Sequence, residues 1–417
     1  MKKIYKMVYF TFFSLLYSLQ SISFINQPGD QTWFQNMAKK YHYDYFKFAI
    51  DRYQNWSSRL FIESATMFFS VNYLLFDLVL FIATLILFYV LSDIIVDSKI
   101  KESSVIVFLI PIIFIYIFPT DFFLGAGLIA TITNYYFPMV LFIVAMWLIT
   151  KKNKIAKILS FLFLIPTVMQ EQFALISFLF LLYLIIYYYK NNNKFSRTYI
   201  IAFLISILSI FSMLFSPGSQ IRKLKEVKAW YPKFDHISVF KKICLGFFDT
   251  NNSLFFGNQI TAIYILLILF IILALYKKEI LILISSICLF SMIISDKLGI
   301  KTLFYSLKTV VANLKNYNIT VELIYVWLMY LTLLLFLAFA IYRLISNYDK
   351  KIFLIYIVVI GYLGRMSVSF SPTIYASGVR THLPVLLSIY IVIMFLIKEL
   401  YVELTNLEKK GLNNEKT

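Results

Sequence analysis

The chain has 417 residues, 61% of them hydrophobic and 14% charged, with a mean hydropathy of +0.80 and a formal charge of +18. Soluble domains hold about 45–50% apolar and about 25% charged residues, so a soluble globule has nowhere to put this excess, whereas a bilayer does. Two distant cysteines, and three histidines (His42, His236, His382) outside any His-Glu-x-x-His pattern, argue against a disulfide framework and familiar zinc sites.

Apolar runs of roughly 17–25 residues are long enough to cross a membrane. Taken in chain order they predict an all-α, polytopic helical bundle of about twelve spans. The runs are 4–24, 64–91, 104–118, 130–149, 155–169, 173–189, 199–215, 260–276, 280–295, 321–345, 353–368 and 384–400. They form one membrane domain over 1–400, followed by a tail at 401–417. The first run follows Lys2 and Lys3 but lacks a small-residue cleavage site, so it reads as an uncleaved helix. Lys2, Lys3 and Lys6 place the N-terminus in the cytoplasm. Short basic turns recur on that side: Lys99/Lys101, Lys151/Lys152/Lys154, Lys190/Lys194/Arg197, Lys277/Lys278 and Lys350/Lys351. Lys409, Lys410 and Lys416 keep the tail inside.

The longer connections, 25–63, 119–133, 216–259, 296–320 and 369–383, then face outward and form the site. In the first, Pro28-Gly29 marks a turn and Asp30 follows it. Asp30 is either a carboxylate at the membrane boundary or a helix N-cap. Arg52 and Arg59 lie seven residues apart with Trp56 between them. On one helix they share a face, suited to a phosphate or to an interfacial helix with snorkelling cations. Asn134 and Tyr135 open the fourth span, where they suit sugar hydroxyls or an interfacial belt. Gly125–Ala130 spells G-x-G-x-x-A but has no strand around it, so it is no nucleotide fingerprint. Glu171, in Gln170-Glu171-Gln172, interrupts an apolar stretch after Pro166 and calls for a cavity or a partner. Ser216-Pro217-Gly218 reads as a tight turn, followed by the basic-aromatic stretch from Arg222 to Lys233. Arg365 sits against an apolar helix and needs an anion or a wet cleft, and Arg380 precedes the last span. Of the 39 Lys and Arg residues, about 18 fall outside and about 21 inside. The outer surface is therefore more basic than orientation requires, which an anionic ligand explains. Nucleic acid does not fit a surface outside the cell.

Several motifs recur in order. They are the acid after Pro-Gly, Arg52-Tyr-x-x-Trp56-x-x-Arg59, Thr133-Asn-Tyr-Tyr-Phe-Pro138 and the Gln-Glu-Gln turn. Ser216-Pro-Gly-x-x-x-Arg222 and Ser371-Pro372 with Arg380 complete the set. Together they resemble bacterial multi-pass glucosyltransferase-like membrane proteins of the GT-C type. The resemblance implies transfer of a sugar from a polyprenyl-phosphate carrier to a cell-envelope glycan at the outer face of the plasma membrane. It implies Asp30, or Asp51 in its place, as catalytic base, with Glu171 a further acid of the site. Arg52, Arg59, Arg222 and Arg365 would stabilise the departing phosphate, and the aromatic residues would stack on sugars. No cofactor is required, although Asp30 and Glu171 could hold a divalent metal. Membrane lipids and the two glycan substrates are the expected partners. Two other functions share this composition: a polymerase or ligase using a lipid-linked glycan, and a lipid-linked sugar transporter or flippase.

Overall fold

The computed structural model describes residues 3–24, 29–96, 104–257, 261–302, 305 and 321–414. Most of the fourth outer connection, the turn at Pro28 and the lysines Lys2, Lys99, Lys101 and Lys416 lie outside the described residues. Among the described residues there is no strand. The helices up to the first basic connection are α1 (Lys3–Ile22), α2 (Asp30–Lys40), α3 (Tyr45–Asn55), α4 (Leu60–Val71) and α5 (Tyr73–Ile95). They continue with α6 (Ser104–Ile117), α7 (Leu128–Thr131), α8 (Phe137–Ile149), α9 (Lys154–Val168) and α10 (Glu171–Asn192). Then follow α11 (Arg197–Phe215), α12 (Pro217–Trp230), α13 (Val239–Phe256), α14 (Thr261–Lys277) and α15 (Ile280–Lys297). The last are α16 (Val321–Leu344), α17 (Tyr348–Met366) and α18 (Leu383–Asn414).

The chain is a polytopic helical membrane protein. Eight described helices are long and apolar enough to cross, and nine if α13 and α14, bent by 67° at their break, form one span. The predicted run 64–91 breaks at Asn72, leaving the 12-residue α4 before α5, one of the eight. The run 104–118 folds as the 14-residue α6, and 155–169 as the 15-residue α9. The 20-residue α1 carries three Tyr, three Ser and a Gln, and is not among the eight. The connection 25–63 is not a loop, since it contains α2 and α3.

The chain divides into two compact units. The first, Met1–Ser238 with Leu363–Pro384, holds α1 to α12. Its interior is aromatic: Phe10, Tyr17, Phe88, Phe114, Phe123 and Tyr136 are fully buried. Their two hydroxyls are satisfied: Tyr17 donates to the Phe118 carbonyl at 3.0 Å, and Tyr136 meets Thr84 Oγ1 at 2.7 Å. A smaller apolar cluster of Phe34, Ala38, Phe48, Met67 and Ala130 clamps α2, α3 and α4 together. The second unit, Val239–Tyr362 with Val385–Thr417, is packed around Tyr330 and the aromatic face of α13. Ion pairs of Lys277 with Glu399 and of Arg343 with Glu279, both at 2.7–2.8 Å, tie its helix ends.

Candidate functional site

Asp30 is the first residue of α2, one place beyond the cap position that a capping acid takes. Its amide donates to the Ala126 carbonyl at 2.9 Å. That bond needs the backbones of Gly29 and Gly127 to touch. A Cβ on Gly29 would lie 2.5 Å from Gly127 Cα, and Gly127 itself sits at φ +91°. Gly127 of the Gly125–Ala130 stretch therefore serves close packing. Asp30 lines the polar cavity described below.

Arg52 and Arg59 do not share a helix. α3 ends at Asn55, and Arg59 caps the start of α4. The intervening turn nevertheless directs both into one cavity. Arg52 Nε donates to Glu63 Oε2 at 2.9 Å, and Ser57 Oγ donates to Glu63 Oε1 at 2.8 Å. The Arg52 guanidinium also lies between the rings of Trp33 (4.9 Å) and Trp56 (5.0 Å). Arg59 is gripped on both edges: Nε and Nη2 donate to the Glu171 carboxylate, and Nη1 donates to Asn134 Oδ1 at 2.7 Å.

Asn134 and Tyr135 sit in a single π-helical turn, Ile132–Tyr136, a local widening common at functional sites. All three residues of the Gln-Glu-Gln turn are used. Gln170 caps α10 by accepting from the Phe173 amide at 2.9 Å. Gln172 Nε2 donates to the carbonyls of Gly364 (3.0 Å) and Thr381 (2.8 Å). Glu171 meets Arg59.

The predicted tight turn at Ser216–Gly218 is instead the capped start of α12, with Pro217 in the first turn and the Ser219 amide facing Ser216 Oγ. Gly218 abuts the end of α3, where a Cβ would lie 2.5 Å from Trp56 N and 2.6 Å from the Tyr53 carbonyl. One turn later Arg222 lies 5.7 Å from the Trp56 ring and donates to Glu226 Oε1 at 2.8 Å. Gly218→Ala must therefore push α12 off α3. The expected loss is about 1–3 kcal/mol of stability, read as a lower unfolding midpoint in detergent. An unchanged midpoint would show that the contact yields freely.

Arg380 reaches the same cavity from the last connection, 5.8 Å from the Tyr135 ring. Two predicted residues are not brought in. Asp51 accepts from Asn55 Nδ2 at 2.9 Å and lines neither cavity described here. Arg365 is buried, donates to His382 Nε2 at 3.1 Å, and also lines neither.

Two cavities of the first unit share Arg59, Tyr135, Arg222, Glu226, Thr373 and Ser377. One, about 560 Å³, is polar and holds Asp30, Arg52, Trp56, Asn134 and Arg380. The other, about 440 Å³, adds Glu171 and an apolar wall of Leu175, Ile210, Met213, Leu214 and Phe370. Leu214 and Phe370 are also exposed, so this wall continues into the outer apolar surface. In the polar cavity five cations (Arg52, Arg59, Arg222, Lys225, Arg380) face three carboxylates (Asp30, Glu63, Glu226). Three arginines are clasped by acids. Among the described residues Arg380 and Lys225 form no salt bridge, and Arg380 Nε is buried with no hydrogen-bond partner. Loss of water around Asp30 raises its pKa above the ordinary carboxylate value, against the pull of Arg380 and with a further push from Glu63. Arg52 and Arg222 pull it down more weakly.

Sequence reasoning missed Trp33, Glu63 and Glu226. An acid such as Glu63 at the head of an apolar run demands a partner, and Arg222 with Glu226 is an i,i+4 pair; both signals were present. Among the described residues no three His, Cys, Asp or Glu side chains group to hold a metal ion. Comparison with family models, curated proteins and solved structures finds no match.

Proposed function

We propose that the chain is a membrane glycosyltransferase of the GT-C-like kind, moving a sugar from a polyprenyl-phosphate donor to an envelope-glycan acceptor at the outer face of a bacterial plasma membrane. One observation carries this reading: Arg380, which pairs with no acid among the described residues, shares a polar cavity with Asp30, and that cavity adjoins an apolar one open to the exposed apolar surface. A donor of this class has the same three parts in the same order, namely sugar, phosphate and isoprenoid. The isoprenoid would lie along Ile210, Met213 and Leu214. The phosphate would bind Arg380 and Arg222, and the sugar would stack on Trp56 and Trp33.

The chemistry is a single displacement. Asp30 takes the proton from the acceptor hydroxyl as its oxygen attacks the anomeric carbon. The bond from that carbon to the phosphate oxygen breaks, and polyprenyl phosphate leaves with the electron pair against Arg380 and Arg222. Inversion follows from one displacement. Glu171 and Glu63 act as positioning residues that hold Arg59 and Arg52. Orientation supports the outer placement. α10 begins at Glu171 and ends near Lys190, and α11 runs from Arg197 back to the start of α12, so the site lies at the helix ends opposite their basic turns.

The test is incubation of the purified protein with polyprenyl-phosphate sugars and envelope glycan, followed by mass analysis of the acceptor. Covalent sugar transfer is expected. Uptake into proteoliposomes with no covalent product would instead make the protein a transporter. A pH profile refines the assignment. Because Asp30 must be ionised, activity should fall on the acid side, with its limb above the ordinary carboxylate value of about 4. Removing a positive neighbour raises a carboxylate pKa, so Arg380→Gln should move the limb to higher pH. A limb unmoved by that change would remove Asp30 from the role.

A further inference from the structure

Helix α12 has two faces with different demands. Gly218, Arg222 and Glu226, spaced four apart, form the stripe turned towards α3 and the cavity. Ile221, Leu224 and Val227 recur every third residue on the other side. Leu224 is 64% exposed, and the last residue of the preceding span, Phe215, is 71% exposed. Phe211 and Leu214 of α11 are exposed as well, so exposed apolar residues occur both at the end of a candidate span and on α12. Lys223, Lys225 and Lys228 are exposed around this strip, and Trp230 closes it, 63% exposed. Of the three lysines Lys223 pairs with Asp235 at 3.1 Å.

We infer that α12 lies in the membrane surface, with Ile221 and Leu224 in the acyl boundary and Lys228 on anionic lipid headgroups. Apolar residues on one side of a basic helix, with an aromatic end, are what an interfacial helix requires. A water-borne polyanion would satisfy Lys228 but leave Leu224 and Phe215 wet; a lipid surface satisfies both. The helix would then fix the depth of Arg222, which lies on its opposite face. The inference stands on the membrane character of the chain and does not need the transferase reading.

The test uses the full chain with Cys244→Ser, Cys288→Ser and Leu224→Cys, spin-labelled at the new thiol. It is reconstituted in vesicles of phosphatidylcholine, with and without equimolar phosphatidylglycerol. The label should collide more with oxygen than with a water-soluble nickel chelate. Spin-labelled phosphatidylglycerol should associate with the unaltered protein in preference to phosphatidylcholine. Lys228→Gln should reduce that preference about fivefold. Dominant nickel contact would overturn the inference, as would dipolar broadening from a second copy on this face. Equal association of the two lipids would overturn it too. None of these readouts requires sugar transfer.

Discussion

Asp30→Asn should lower turnover by about 10²–10⁴-fold while leaving the protein folded and the donor bound, the range expected when a general base is removed. The substitution keeps side-chain size and leaves the amide of residue 30 bonded to the Ala126 carbonyl, so α2 keeps its anchor. The proposed donor contacts are made by Arg380, Arg222 and the tryptophans, so the effect should fall on kcat and leave KM for the donor nearly unchanged. Asp51→Asn offers the contrast. That carboxylate is engaged by Asn55 and stands outside both cavities, so its loss should leave turnover close to normal. Full activity in Asp30→Asn, or equal losses in both variants, would exclude Asp30 as the base.

The largest stability effect should come from Glu63. It is among the few buried acids, with 8% of its side chain exposed, and its partner Arg52 is only 14% exposed. Glu63→Gln leaves the Arg52 guanidinium in a poorly solvated place without its counter-charge. Breaking such a pair from one side destabilises by about 3–5 kcal/mol. Replacing both partners with apolar residues of similar volume, Arg52→Met with Glu63→Leu, removes the stranded charge and should restore most of the stability. The readout is the unfolding midpoint of each variant in one detergent. A double variant no more stable than the single one would mean that Ser57 and the tryptophans, rather than the charge pair, hold this corner. The Arg59–Glu171 pair should count for less, since 41% of the Glu171 side chain is open to solvent.

The membrane class, and the ordered motifs that end up around one cavity, were legible in the sequence. Apolar runs long enough to span are a one-dimensional signal, and Asp30, Trp56, Arg59, Asn134, Arg222 and Arg380 all reach the polar cavity. Three things were not legible. Helix breaks inside apolar stretches, as at Asn72, depend on packing that hydropathy does not encode, so the run 64–91 was read as one helix where there are two. Polar segments can be helical when one face is covered; α2 and α3 bury Phe34 and Phe48 against α4, and the segment looked like a loop. Pairing is three-dimensional: Arg59 finds Glu171 across 112 residues, and Arg365 donates to His382 across 17. Whether an arginine is available to a ligand depends on which acids the fold brings to it. That is why the proposed mechanism assigns the phosphate to Arg380 rather than to Arg52 or Arg59, since among the described residues it pairs with no acid.

The most direct test is a structure of the full chain in lipid with a short-chain isoprenyl-phosphate sugar bound. The phosphate should lie within hydrogen-bond reach of Arg380 and Arg222, the isoprenyl chain along Ile210 and Leu214, and the anomeric carbon facing Asp30. A phosphate held elsewhere, or a sugar seated with Asp30 turned away from it, would contradict the account.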